Sequence, residues 1–186
     1  MLFAEDAERH RAPVLQPDRS KIPYQYPQPF GCMPEFIVKG ALDLDNEADW
    51  VPQAEGVAFK PLLFSVSNGY FVNILRVRKS GVLSRHRHVG TVHAFTLRGK
   101  WHYLEHDWVA EAGDYATEPP GEVHTLVVPD GVEEMMTLFH VSGAYIYVDP
   151  FGTPLGVEDV FTKAAAAKAH YEKIGLGADY VNKFMR

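Results

Sequence analysis

From Phe59 to Val148 the chain repeats one texture, short runs rich in β-branched and aromatic residues separated by turn dipeptides, and this repetition constrains the fold more than any other feature. The runs are Phe59 to Val66, Tyr70 to Arg78, Thr91 to Leu97, Lys100 to Glu105, Asp114 to Glu118, Val123 to Val128, Met135 to His140 and Ala144 to Val148. Asn68-Gly69, Ser80-Gly81, Arg98-Gly99, Pro120-Gly121 and Asp130-Gly131 bound them, which is the signature of strands closed by tight turns. About eight strands at such even spacing, with no helical pattern between them, predict an all-β barrel or jelly-roll sandwich. With 186 residues, 46% of them hydrophobic, the chain supplies one ordinary core, so a single barrel is expected.

The flanks differ from this centre. Residues 1–30 carry Pro13, Pro17, Pro23, Pro27 and Pro29, a density that excludes regular helix and central strand and predicts an extended arm. Tyr24 and Tyr26 either anchor that arm on the barrel or a neighbouring subunit, or decorate a loose tail. After Pro154, Val157, Val160, Phe161, Ala164, Ala165, Lys168 and Tyr171 recur at three- and four-residue steps, Ala164 to Ala167 is strongly helix-forming, and Gly175 is a plausible stop. The expected organisation is an N-terminal arm (1–30), a barrel (31–155) and a C-terminal helical segment (156–186), with a short turn near Tyr180 to Phe184.

Charge and cysteine content narrow the function classes. A net charge of −6 with only short basic runs gives no footprint for nucleic acid or anionic membrane. Cys32 is the only cysteine, so no intramolecular disulfide forms, and the composition suits a reducing cytosol. No apolar run approaches a membrane span, and the first residues lack the order of a signal peptide; a cytoplasmic location is expected. Neither a nucleophilic Ser or Cys arrangement nor a phosphate-cradling glycine loop is present.

Within the barrel segment, histidines concentrate in two patterns. The first runs from Gly81 to His93 and holds Arg85-His86-Arg87-His88; the second, Gly113 to His124, ends in Glu118-Pro119-Pro120-Gly121-Glu122-Val123-His124. Residues two apart on a strand share a face, so His86 and His88 aim at the same space, either solvent or a metal, and neutral imidazole is a common ligand for zinc, iron, copper and nickel. The Pro-Pro-Gly turn sets His124 at a fixed depth on a neighbouring strand, where a third donor completes a facial set.

These patterns resemble the paired motifs of the cupin superfamily, double-stranded β-helix barrels that bind a metal through His-x-His and a glutamate in the first motif and a histidine in the second. The resemblance implies a cupin barrel with His86, His88 and His124 as ligands. The position of the first motif's glutamate is His93, and the asparagine often found four residues after the second motif's histidine is Val128. A narrower resemblance rests on Gly56-Val-Ala-Phe-Lys-Pro, Val72-Asn-Ile-Leu-Arg-Val-Arg-Lys, Leu97-Arg-Gly-Lys-Trp-His-Tyr-Leu-Glu-His-Asp-Trp, Glu118 to Val128 and Gly175-Leu-Gly-Ala-Asp-Tyr-Val. It is to the 2,4′-dihydroxyacetophenone dioxygenase family, with acetylacetone dioxygenase among its relatives. It implies non-haem Fe(II), for which Zn, Ni or Mn can substitute, and a ketone and O₂ as substrates in ring-external C–C cleavage. Cupin barrels also commonly pair, which implies a homo-oligomer, dimer or tetramer. The alternative reading is a metal-binding cupin sensor or regulatory module similar to anti-sigma cupin domains.

Several residues keep two readings at this stage. Glu118, six before His124, is either a surface carboxylate or the group that hydrogen-bonds a ligand and takes the substrate proton. His93 is a fourth ligand, a pocket residue or a histidine packed on the barrel wall; its parity with Phe95 and Leu97 suits an inward, pocket-lining place. Trp101 and Tyr103 share a face and are either core or pocket wall. Asn73 is the one polar group on the inward side of an alternating strand, and His140 is either a core or a cavity histidine.

Overall fold

The structure, a computed structural model, describes residues 20–186. Two compact units divide the chain between Ile37 and Val38, later than the boundary expected at residue 30. Residues 1–19 of the expected arm lie outside the described residues. From Ser20 to Ile37 there are turns and bends with neither strand nor helix, and the exposed rings of Tyr24 and Tyr26 lie 5.7 Å apart.

The second unit is a jelly roll. Among the described residues it forms twelve strands: β1 (Val51–Ala54), β2 (Val57–Ser65), β3 (Tyr70–Val77), β4 (Gly81–His88), β5 (Val92–Arg98), β6 (Lys100–Tyr103), β7 (Ala110–Glu111), β8 (Tyr115–Glu118), β9 (Val123–Val128), β10 (Met135–Ser142), β11 (Ala144–Val148) and β12 (Pro154–Asp159). They make two six-stranded sheets, ordered β1-β2-β3-β10-β5-β8 and β12-β11-β4-β9-β6-β7. Strands distant in sequence, such as β3 with β10 and β4 with β9, pair antiparallel, the pattern of a double-stranded β-helix. Two motif glycines are required sterically. A Cβ on Gly90 would sit 2.5 Å from the Ser142 carbonyl oxygen, and Gly121 turns into β9 at φ +92°, a conformation other residues adopt only with strain.

Alternation decides what each face meets. Phe71, Val77, Val92, Ala94, Trp101, Tyr103, Leu126, Val128, Phe139 and Val141 point into one continuous core between the sheets. The outer face of the first sheet is partly covered as well: Trp50, Leu62, Ile74 and Met136 form a second cluster with Val38, Ala41 and Leu44. A short 3₁₀ turn, Glu47–Asp49, fixes this cover, because Glu47 takes a bidentate pair from Arg76 at 2.9 and 2.8 Å while that guanidinium lies 4.1 Å from the Trp50 ring centroid.

The C-terminal segment differs from expectation at its start. Residues 156–159, expected at the beginning of the helical segment, instead complete β12 and pair with β11. Helix α1 (Val160–Lys173) begins only where Asp159 and Thr162 close a capping box, and it ends before Gly175 at φ +82°. Its buried face is Val160, Lys163, Ala167 and Tyr171, one step round from the expected stripe, so Phe161 is exposed. A 3₁₀ helix, Ala178–Phe184, packs back on α1 through Tyr180 and Phe184 against Tyr171. Among the described residues no helix is long and apolar enough to cross a membrane.

Candidate metal centre

Adjacent strands β4 and β9 pair with His86 directly opposite His124, so one β-ladder brings the two sequence patterns together. His88, two residues on, faces the same side. The three rings form a triangle with centroids 4.8, 4.8 and 5.0 Å apart, and one ligand atom from each lies within 4.8 Å of the others. His86 Nε2 and His88 Nε2 are 3.1 Å apart. All three are buried, and His124 is fully sealed beneath the ring of Tyr103, which stacks on it at 3.6 Å and 6°.

Electrostatics leaves His86 and His124 as neutral donors. Burial, reinforced by the neighbouring His88, pushes His86 down to about 3, and burial with His86, His88 and His106 nearby pushes His124 down to about 2. Both are therefore unprotonated across the physiological range, with lone pairs available. His86 Nδ1 lies 3.2 Å from Ser84 Oγ, a contact that orients the ring with Nε2 toward the centre.

Glu118, at the end of β8 on the opposite sheet, closes the group. It is 3% exposed; its Oε2 lies 2.9 Å from His88 Nε2 and 3.7 Å from His124 Nε2, while Tyr103 Oη donates to its Oε1 at 2.7 Å. Burial and this carboxylate hold the Tyr103 hydroxyl well above its usual titration range, so it remains a donor. Yet Glu118 Oε2 and both nitrogens of His124 are buried without a hydrogen bond. Lone pairs converging this closely, buried and without hydrogen bonds, are costly unless a cation sits among them, so the donor set fits a metal ion.

A cavity of about 670 Å³ opens onto His86, His88 and Glu118. Phe71, Leu75, Val92, Leu126, Phe139 and Val141 give it apolar walls, and Asn73 and Tyr103 also line it. Three residues expected at the pocket, His93, Phe95 and Trp101, lie elsewhere. In β5 the inward positions are Val92, Ala94 and Thr96, which turns His93 and Phe95 to the outer face, where His93 Nδ1 meets Tyr115 Oη at 2.6 Å and Phe95 is 49% exposed. His93 is thus remote from the three-histidine group as ligand or catalyst, and His140 pairs with it across the same outer face. Trp101 points inward but is fully buried, donating from Nε1 to Thr96 Oγ1 at 2.9 Å, and it forms core rather than cavity wall.

The structure adds groups with little or no sequence signal. Behind His124, His106 Nε2 pairs with Glu122 Oε1 at 2.6 Å and stacks on Trp108, and these two with His124 form a second trio of ligand-type atoms. Beside the histidines, Lys163, Glu158, Gln53, Tyr145 and Tyr147 form a polar network, with Tyr145 and Tyr147 of β11 paired opposite His88 and His86 of β4 and the Tyr145 ring 5.1 Å from that of His86. The alternation of Tyr145 and Tyr147 in β11 is a signal that sequence reading passed over; Lys163 has none, because helix docking decides its place.

Comparison with known proteins agrees with this geometry. Two solved structures from Ralstonia eutropha JMP134 resemble the chain: a cupin-fold protein of unknown function (29% identity over 64% of this chain and 75% of that one, TM-score 0.61) and an RmlC-like cupin (28%, 67% and 82%, TM-score 0.63). Acetylacetone dioxygenase from Acinetobacter johnsonii shares the fold at 18% identity over 79% of this chain and 99% of that one, with a TM-score of 0.64. No curated protein matches the chain. The family model of the ChrR cupin-like domain matches residues 39–146, more than half of the sequence, and with the barrel and paired motifs already described the chain belongs to this family of the cupin superfamily.

Proposed function

We propose that this protein is a non-haem Fe(II) dioxygenase that cleaves a C–C bond of an aryl hydroxyketone or a diketone. The observation that carries the reading is the convergence of three imidazoles and a buried, hydrogen-bonded carboxylate at the wall of an apolar cavity. Iron(II) held by His86, His88 and His124 would supply Lewis acidity and the redox chemistry that joins O₂ to the ketone. Three neutral ligands leave the cation's charge uncancelled, so the site favours a substrate that binds as an enolate through two oxygens. Glu118, fixed through Oε1 by Tyr103, presents Oε2 toward the centre and accepts the proton released as the enolate forms. The apolar walls exclude water and strengthen that interaction.

The reaction balances without a further reductant. An aryl hydroxyketone, R–CO–CH₂OH, plus O₂ gives R–COOH and formic acid, so 2,4′-dihydroxyacetophenone yields 4-hydroxybenzoate and formate. Anaerobically purified, Fe(II)-loaded protein should consume one O₂ per ketone with 2,4′-dihydroxyacetophenone or acetylacetone. No ketone-dependent uptake with either overturns the reading. The family's name, that of the ChrR cupin-like domain, favours a second reading, a metal-binding regulatory module, which predicts that null result together with stoichiometric metal.

A further inference from the structure

Asn73 is the one polar inward position of β3, flanked on its own face by Phe71 and Leu75 and paired in register with Pro61 of β2 and Phe139 of β10. Its side chain is 3% exposed, and its Oδ1 is buried with no hydrogen-bond partner. A buried amide in an apolar wall ordinarily finds a partner, because leaving it unmade costs more than the bond itself is worth. Among the described residues three orphaned atoms belong to side chains lining the main cavity: His88 Nδ1, Glu118 Oε2 and Asn73 Oδ1. The first two belong to the metal-binding group. Asn73 does not, and an apolar residue of the same shape would fill its place in the wall without that cost.

We propose that Asn73 is the specificity-determining residue of the cavity, receiving a hydroxyl that the substrate carries apart from its chelating oxygens. A carboxamide presents an acceptor and a donor on one edge, and rotation about its last torsion exchanges them. A hydroxyl, donor and acceptor at once, satisfies either orientation, whereas a carboxylate only accepts and an ammonium only donates. The surrounding Phe71, Leu75 and Phe139 match the apolar body to which such a hydroxyl is attached. The identity of that body as a hydroxyketone rests on the function proposed above; the unfilled amide does not. A site built to hydrogen-bond a hydroxyl rejects the analogue lacking it, because its own buried group is then left unpaired.

The test uses the full chain loaded with zinc, which cannot turn the ketone over, and compares wild type with Asn73→Leu, a nearly isosteric change. The probes are 2,4′-dihydroxyacetophenone and 2-hydroxy-1-phenylethanone, the same ketone without its ring hydroxyl, titrated calorimetrically after zinc content is shown equal in both proteins. Wild type should prefer the phenolic probe by about tenfold or more, and Asn73→Leu should bind the two alike. A preference that persists in the variant overturns the role of Asn73 while the hydroxyketone reading stands. Failure of both probes to bind wild type overturns that reading and the hydroxyl assignment with it. Thermal unfolding of the metal-free proteins is an independent check. An orphaned amide predicts that Asn73→Leu raises the midpoint by about 2–4 °C. A lower midpoint shows that the amide has an internal partner and overturns the proposal.

Discussion

The barrel interior holds two neighbouring polar clusters along one cavity, and they are finished to different degrees. In the network around Lys163 each strong group is answered: Nζ donates to Gln53 Oε1 at 2.8 Å and pairs with Glu158 Oε1 at 2.9 Å, while Glu158 Oε2 accepts from Tyr145, Tyr147 and Gln53 at 2.6, 2.6 and 3.0 Å. The remaining side of the ammonium lies over the Phe59 ring at 4.2 Å. Around His124 the opposite holds: both ring nitrogens are buried without a hydrogen bond, and so is Glu118 Oε2, whose nearest partner is the His88 imidazole at 2.9 Å. A saturated cluster ties α1 and the edge strands to the barrel, whereas an unsaturated one, equally buried, is complementary to something the polypeptide does not itself contain.

The sharpest way to break this contrast is to delete a donor from the unsaturated cluster. His124→Ala should abolish metal retention, taking wild type from one equivalent per chain to almost none by elemental analysis, and should abolish turnover with it. Metal should also raise the unfolding midpoint of wild type and leave that of the variant unmoved, since only a bound ion stabilises the native state by mass action. A variant that keeps a full equivalent would show that His86 and His88 suffice and that the triangle is not the site.

The next effect separates the carboxylate from the imidazoles. Glu118→Gln preserves shape and the Tyr103 contact but removes the base, so metal content should stay near wild type while kcat falls about 10²- to 10⁴-fold. Loss of metal in this variant would make Glu118 a ligand rather than a proton acceptor.

How much of this was legible before the structure depends on which contacts are local. Eight of the strands and the grouping of His86, His88 and His124 could be read because period-two alternation and the Pro-Pro-Gly turn are encoded within a dozen residues of one another. Four strands fall outside the eight runs: β4 showed itself only through its His-x-His pair, and β1, β7 and β12 were missed because all are short or interrupted edge strands, Val51-Pro52-Gln53-Ala54 and Ala110-Glu111 among them, whose pairing is imposed by the neighbour rather than by their own pattern. His93 shows the reverse error. Parity within β5 was read correctly, but a strand with substantial side chains on both faces does not declare which one is inward; the small Ala94 and the Thr96 that receives the Trp101 N–H occupy the inside. Lys163 and Glu158 carry no local signal, because their meeting depends on where α1 docks.

Deleting one partner from the saturated cluster should cost stability rather than metal. Lys163→Met leaves Glu158 buried against two tyrosines without its counter-ion, and the loss expected for breaking a buried pair is about 3–5 kcal/mol by urea unfolding. Metal content should be unchanged. A variant as stable as wild type would mean that the network is not structural and would erase the distinction drawn between the two clusters.

The smallest effect is a pH dependence that the same network imposes. Burial alone would raise the Glu158 carboxyl, but Lys163 and the hydroxyls of Tyr145 and Tyr147 outweigh it and hold the group below its ordinary 4.5. A carboxyl whose folded value lies below its unfolded one contributes stability that is fully present above about 4.5 and is lost as pH falls through the folded value. Wild type should therefore lose stability on acidification through this window. Glu158→Gln, which cannot titrate, lacks that contribution at neutral pH and has none of it to lose, so the gap between the two proteins should be widest near pH 7 and narrow steadily below about pH 4.5. Unfolding titrations at a series of pH values read this gap directly. A gap independent of pH would mean that Glu158 is uncharged in the native protein, and the pairing that marks this cluster as complete would have to be redrawn as neutral hydrogen bonds around a lysine lacking a counter-ion.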